Sequence, residues 1–173
     1  MNFFTLFDLP ESFTLDTSSL AERYQALQRR YHPDNFATQS EAERLQALTT
    51  AANINQGYQA LRKPLPRAEY ILSLHGFDIN NEQHTMHDTE FLMAQLTLRE
   101  TLETIEQQQD GEALTRFLGD IKQQHKSLMS VVAQQLADQQ WQQAADTVRK
   151  LRFFTRLAEH AEALEEKWLD FQG

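Results

Sequence analysis

Residues 18–35 read SSLAERYQALQRRYHPDN, and this stretch decides the fold. Leu20, Tyr24, Leu27 and Tyr31 recur at intervals of four, three and four, the spacing of one apolar helix face, and Thr17 or Ser18 can cap its start. His32 precedes Pro33, whose ring disfavours the helical conformation at the residue before it, so the helix is expected to stop at Tyr31 or His32. A loop then runs to about Ser40. From Glu41 a second helix carries Leu48, Ala51, Ile54, Tyr58 and Leu61 on one face, closed by Pro64 and Pro66. The pair forms a helical hairpin whose connection is His32-Pro33-Asp34.

Outward from the hairpin, Phe3 to Phe7 reads as a short helix, and Pro66 can open another through Leu74, stopped by Gly76. Residues 76–87 hold Asp78, Asn80 and Asn81 without a long period, which makes them the expected linker. After it, Asp88 can cap a helix to about Gln109, broken by Gly111. The next runs from Glu112 to Ala137 on Leu114, Phe117, Ile121, Leu128 and Val132. Asp138 can cap the last, whose stripe is Trp141, Ala144, Val148, Leu151, Phe154, Ala158, Ala161, Leu164 and Trp168. Three long helices with short connections predict an antiparallel bundle. The fold class expected is all-α, with a small helical domain over 1–75, a linker over 76–87 and a three-helix bundle over 88–173.

Composition agrees. Among 173 residues there are only 5 Gly and 4 Pro, while helix formers abound. The absence of Cys excludes disulfides, zinc thiolate sites and clusters held by the chain's own thiolates, and fits a cytoplasmic location. The N-terminal MNFFTLFD lacks a basic region before its apolar residues and meets an acid early, so no secretory signal is expected; no apolar run is long enough for a membrane span. A net charge of -9 repels polyanions, so protein partners are expected rather than nucleic acid. That charge is uneven. Residues 1–75 hold 7 Lys+Arg against 8 Asp+Glu, which leaves 9 against 17 of the chain's 16 and 25 for the remainder.

His32-Pro33-Asp34 alone reads as a helix stop and a turn, since Pro and Asp favour turns. Following an amphipathic helix that ends Arg29-Arg30-Tyr31, and preceding a second one, it resembles the J-domain. The opening Phe-Thr-Leu-Phe, the segment LRKPLPRAEYILSLHG from Leu61, and Phe91-Leu92-Met93 extend the likeness along nearly the whole chain to the HscB-type J-domain co-chaperones of bacterial iron–sulfur cluster assembly. The resemblance implies that His32, Pro33 and Asp34 dock on a DnaK-type chaperone, HscA, and stimulate its ATP hydrolysis without supplying a catalytic group. It also implies that positive charge on the preceding helix, here Arg23, Arg29 and Arg30, assists. From the residues alone these arginines are a solvated face. Asn35 stands where the family often has a basic residue, and Gln25 and Ala26 where general J-domains are frequently basic, which points to weaker or more selective docking.

On the helix from Asp88, Phe91, Leu98, Leu102 and Ile105 share a narrow arc that must face the core. Leu92, Met93 and Leu96 fall elsewhere, either exposed or covered by another surface. The resemblance assigns them, with Phe153 and Glu100, to binding IscU, the scaffold on which clusters are built; Phe153 lies off the stripe that holds Phe154. Glu103 also flanks this patch. Thr97 and Thr104 occupy positions where acids are expected, which predicts a mainly apolar interface with less salt dependence than in relatives.

Two other readings remain open on residues alone. An enzyme could use His32 and Asp34, or His84, His87 and Asp88, but two His and a carboxylate in a linker are a weak metal signature, and no phosphate loop or nucleophile motif is present. His125 lies on an apolar stripe and reads as a satisfied core or edge histidine. Neither a cofactor nor a resident metal is expected. The other reading is a general J-domain co-chaperone with different clients, against which stands only the lack of Gly/Phe-rich and zinc segments.

Overall fold

The computed structural model describes residues 2–80 and 88–172, and among them it is helical throughout, with two compact units, Met1–Phe77 and Asp78–Gly173. The first holds α1 (Phe3–Leu6), α2 (Thr17–Arg30), a 3-10 turn (Pro33–Phe36), α3 (Glu41–Leu61) and α4 (Pro64–Leu74). The second holds α5 (Thr89–Gln108), α6 (Gly111–Ala137) and α7 (Trp141–Gln172).

In the first unit α2 and α3 form the expected antiparallel hairpin. The rings of Tyr24 and Tyr58 stack at 4.0 Å, and one turn on Gln28 meets Asn55, to which Tyr24 also donates at 2.7 Å. Leu20, Ile54 and Leu61 are fully buried between the helices. α1 lies over α3 at Gly57, where an added Cβ would stand 3.0 Å from the Phe3 ring and 3.1 Å from Phe7, so the missing side chain is what lets α1 seat. α4 closes the unit through buried Ala68, Ile71 and Leu72. Arg67, 4% exposed, is its polar rivet: Nε donates to the Leu61 carbonyl at 2.8 Å and Nη1 to the Phe13 carbonyl at 2.6 Å. Burial pushes this guanidinium below its ordinary value, and the carbonyls replace the water it has lost.

The second unit is an antiparallel bundle. His125 meets Thr155 and Gln135 meets Thr147, so α6 and α7 run oppositely, while Phe91 near Phe153 and Glu106 near His160 align α5 with α7. Phe91, Leu102, Ile105, Leu114, Phe117, Ile121, Phe154 and Leu164 join one core cluster. His125 is a half-buried edge residue whose Nε2 faces Thr155 Oγ1 at 3.1 Å, and desolvation holds its pKa below 6.5.

Several helix ends differ from the expectation. Asp16, not Thr17 or Ser18, caps α2, accepting from the Ser18 and Ser19 amides, because its carboxylate sits one residue outside the first helical position. Pro64 rather than Pro66 is the first residue of α4. Gly111 begins α6 instead of breaking α5. The break is made by Gln109 in the left-handed region, φ 52°, with Asp110 capping α6. Asp138 closes α6, with Gln139 left-handed after it, and takes the Gln134 side-chain amide at 3.0 Å. Leu48 is 52% exposed; Ala47 is the buried residue of that turn. Of the expected linker, residues 81–87 lie outside the described residues. In the described part Ile79 is buried, and Arg152 on α7 donates to the Asn80 side chain at 2.8 Å.

Candidate functional site

The His32-Pro33-Asp34 loop is built by the end of α2. Tyr31 terminates the helix, and Pro33 starts the 3-10 turn at its first position, where a missing N–H costs nothing. His32 caps that turn: its Nδ1 accepts the Asp34 amide at 3.2 Å. The same Nδ1 lies 3.6 Å from the Asp34 carboxylate, and the imidazole side chain is 59% exposed. Asp34 is 91% exposed, a carboxylate almost fully in water. The loop therefore presents an imidazole and a carboxylate to solvent from a short, ring-restricted turn. Beside it, an open groove of about 320 Å³ is lined by Arg29, His32, Pro33, Ala51 and Ile54.

The three arginines of α2 do not act alike. Arg29 lines that groove, and Arg30 lies over the Tyr31 ring at 5.3 Å. Arg23 is turned the other way: its Nη1 donates to the Phe7 carbonyl at 3.0 Å and also to the Asp8 carbonyl, tying α2 to the end of α1. Asp8 there has φ 53°, so its backbone is set in a turn that offers carbonyls to the guanidinium. Arg23 is exposed, as a solvated helix face requires, and two backbone acceptors also hold it. Asn35 has a role the sequence reading missed. Its side-chain amide donates to the Arg29 carbonyl at 2.7 Å and the Arg30 carbonyl at 3.3 Å, two of the helix-end acceptors that no intrahelical amide can reach.

The second surface lies on α5. The Asp88 carboxylate caps the helix through the Phe91 amide and pairs with Lys150 of α7 at 3.3 Å; the Phe91 hydrogen bond chiefly holds its pKa below the ordinary value. This anchors the first turn of α5 to α7. Phe91, Leu102 and Ile105 face inward, while Leu92, Met93 and Leu96 are 50%, 59% and 56% exposed, an apolar strip about 160° round the helix from the core arc. Glu100 and Glu103 are exposed on the same side, as are Thr97 and Thr104.

Phe153 departs from the expectation. It is 8% exposed, meets Phe91 edge-on at 5.6 Å and Phe154 at 5.3 Å, and belongs to the core cluster with Phe154. Both phenylalanines are buried because α7 packs against α5 and α6 together, and an arc facing two helices is wide enough for two adjacent residues. What remains of Phe153 borders an open groove of about 490 Å³ between α5 and α7, with the Arg99 guanidinium 5.5 Å above its ring.

Asp88 serves as cap and ion-pair partner, and its proposed companions His84 and His87 lie outside the described residues. Among the described residues no group of three His, Cys, Asp or Glu could hold a metal, and no helix is long and apolar enough to cross a membrane.

Comparisons with known proteins agree with this geometry. Residues 87–162 match the family described as the HSCB C-terminal oligomerisation domain. The chaperone HscB from Vibrio cholerae is 44% identical over 96% of this chain and 99% of its own, with a TM-score of 0.83. Human co-chaperone HscB is 29% identical over 94% of this chain and 81% of its own, at 0.85. The Jac1 co-chaperone from Saccharomyces cerevisiae, at 24% identity and a TM-score of 0.76 over 94% of this chain and 92% of its own, shares the fold. A hairpin tipped by His-Pro-Asp, a three-helix bundle with an outward apolar strip, and likeness over nearly the full length place the chain in the HscB family of J-domain co-chaperones.

Proposed function

We propose that this protein binds an iron–sulfur cluster scaffold of the IscU type on the outer face of α5 and delivers it to a DnaK-type chaperone, HscA, whose ATP hydrolysis its His32-Pro33-Asp34 loop stimulates. The observation that carries this reading is the outward strip of Leu92, Met93 and Leu96, half exposed on a helix whose opposite face is fully used by its own core. A patch of this kind on an acidic unit is a docking surface for protein, not for a polyanion. Glu100 stands at the edge of the strip to pair with a basic group, and Phe153 supports the strip from beneath by fixing Phe91. On the first unit, His32, Pro33, Asp34, Arg29 and Arg30 make the chaperone contact, with Arg23 contributing by fixing α2 to α1. Holding scaffold and chaperone at once raises the effective concentration of one at the other. Catalysis stays with the chaperone.

The test has two arms. Each of the three apolar side chains keeps about half of its 1.5–3 kcal/mol of burial to gain on docking, so replacing all three by Ala should cost about 3 kcal/mol, or roughly 100-fold in scaffold affinity. Asp34→Asn should abolish stimulation of the chaperone ATPase with scaffold binding intact. Unchanged scaffold affinity in the triple variant, or full stimulation by Asp34→Asn, would overturn the proposal.

A further inference from the structure

Resting on the chaperone contact proposed above, we infer that Asn35 is the positioning residue of the His32-Pro33-Asp34 loop: its side-chain amide clamps the 3-10 turn to the end of α2 and thereby sets the docking-competent geometry. The turn also packs against α3, so what the Asn35 bond adds is its attachment to the end of α2. Its ring stack, Tyr31 on Phe36 at 6.4 Å, is half-buried, whereas the His32 and Asp34 side chains face water. The Asn35 backbone amide donates to the His32 carbonyl at 3.0 Å, closing the turn upon itself, but that bond does not tie the turn to the helix. The tie is the Asn35 amide, which bridges the Arg29 and Arg30 carbonyls. These two acceptors come immediately before the loop, so the direction in which the chain leaves α2 follows from the bond.

The chemistry required at position 35 is therefore a hydrogen-bond donor, not a positive charge. Asn and a basic residue share that property, and Asn supplies it through a short side chain with only two rotatable bonds, which loses less conformational freedom than a lysine. A carboxylate of the same shape cannot donate, and it would face two carbonyl oxygens. Without the clamp the loop visits other arrangements. A partner that binds only the competent one then sees its apparent affinity reduced by the competent fraction, while stimulation at saturation is unchanged.

The experiment uses the full-length protein with Asn35→Asp, Asn35→Ala and Asn35→Lys. Three quantities are read: chaperone ATPase stimulation against co-chaperone concentration, amide hydrogen exchange at Asp34 and Asn35 in the free protein, and thermal midpoint. For Asn35→Asp and Asn35→Ala the half-maximal concentration should rise about 3- to 10-fold with the maximum kept, and exchange at the two amides should speed up by a similar factor, as expected for loss of one exposed hydrogen bond. Asn35→Lys should restore both, since its ammonium donates. The thermal midpoint should move by no more than a few degrees. If Asn35→Asp stimulates with the wild-type half-maximal concentration, or weakens docking with no change in loop exchange, Asn35 does not position the loop. If the wild-type protein itself gives no stimulation, it is the chaperone reading that fails; the exchange result then decides the clamp separately.

Discussion

Replacing Phe153 by Ala separates folding from binding in the second unit. The ring is 8% exposed and packed edge-on between Phe91 and Phe154, at 5.6 and 5.3 Å. Truncating a phenylalanine so placed removes its transfer free energy and leaves a cavity, about 3–5 kcal/mol in all, of which the edge-to-face pairs are part. With a urea dependence of about 1–2 kcal/mol per molar, the unfolding midpoint should fall by roughly 2–3 M. The signal that isolates this unit is provided by the chain. Both tryptophans, Trp141 and Trp168, lie in α7, whereas all 4 tyrosines lie in the first unit, so tryptophan fluorescence follows the bundle alone. Phe153→Leu, costing about 1–2 kcal/mol, keeps the measurement in range if the Ala variant is unfolded without urea. Leu96→Ala, at 56% exposure, serves as the contrast: its midpoint should move by less than about 0.5 M while scaffold affinity falls. A Phe153→Ala protein with a wild-type midpoint and weakened scaffold binding would refute the core placement and make Phe153 a contact residue.

Scaffold affinity should change by less than about threefold between roughly 0.05 and 0.5 M salt, because apolar burial is hardly screened; a steep fall in titration calorimetry would transfer the interface to Glu100 and its charged neighbours. Arg67→Met should lower the stability of the first unit by about 2–4 kcal/mol, since it orphans the Leu61 and Phe13 carbonyls. The loss should show as a far-UV circular dichroism transition that tryptophan fluorescence does not follow, and coincident wild-type transitions would contradict it. His125 binds its proton less readily folded than unfolded, so its contribution is neutral above 6.5 and turns unfavourable as pH falls through that value. The bundle's urea midpoint should drop between about pH 7.5 and 5.5, and His125→Gln should flatten that slope; an unchanged slope would show that other groups set it.

The hairpin of the first unit was legible in the chain because it is local. The helix face at Leu20, Tyr24 and Leu27, the stop imposed by Pro33 and the Tyr58 side of α3 all follow from periods and ring sterics within a few residues, and the structure shows them where expected. The outward position of Leu92, Met93 and Leu96 was legible in part. Helical geometry put them off the core arc, and they stay exposed because, among the described residues of the second unit, α6 and α7 both pack on the other side of α5. Helix caps were harder. Asp16 and Thr17, or Pro64 and Pro66, are equally competent by type, and a shift of one or two residues decides which carboxylate or ring meets the first turn.

By itself, the sequence determined the all-α character, the hairpin with its His-Pro-Asp tip, the three long helices and the inward face of each. Those are set by backbone propensity and a period of 3.6, and they need no knowledge of distant residues. Only the tertiary structure decided the fate of residues whose partners are remote or whose arc is borderline. Phe153 is buried because α7 faces two helices at once, and Leu48 is exposed because the buried residues of α3 lie mainly toward its C-terminal half. Arg23 braces α2 against α1 because carbonyls 15 and 16 residues earlier reach it. Asn35 becomes a clamp because the loop folds its amide back onto the end of α2. In each case the residue type allowed several roles, and which hydrogen-bond acceptors or apolar neighbours the fold brought within reach selected one.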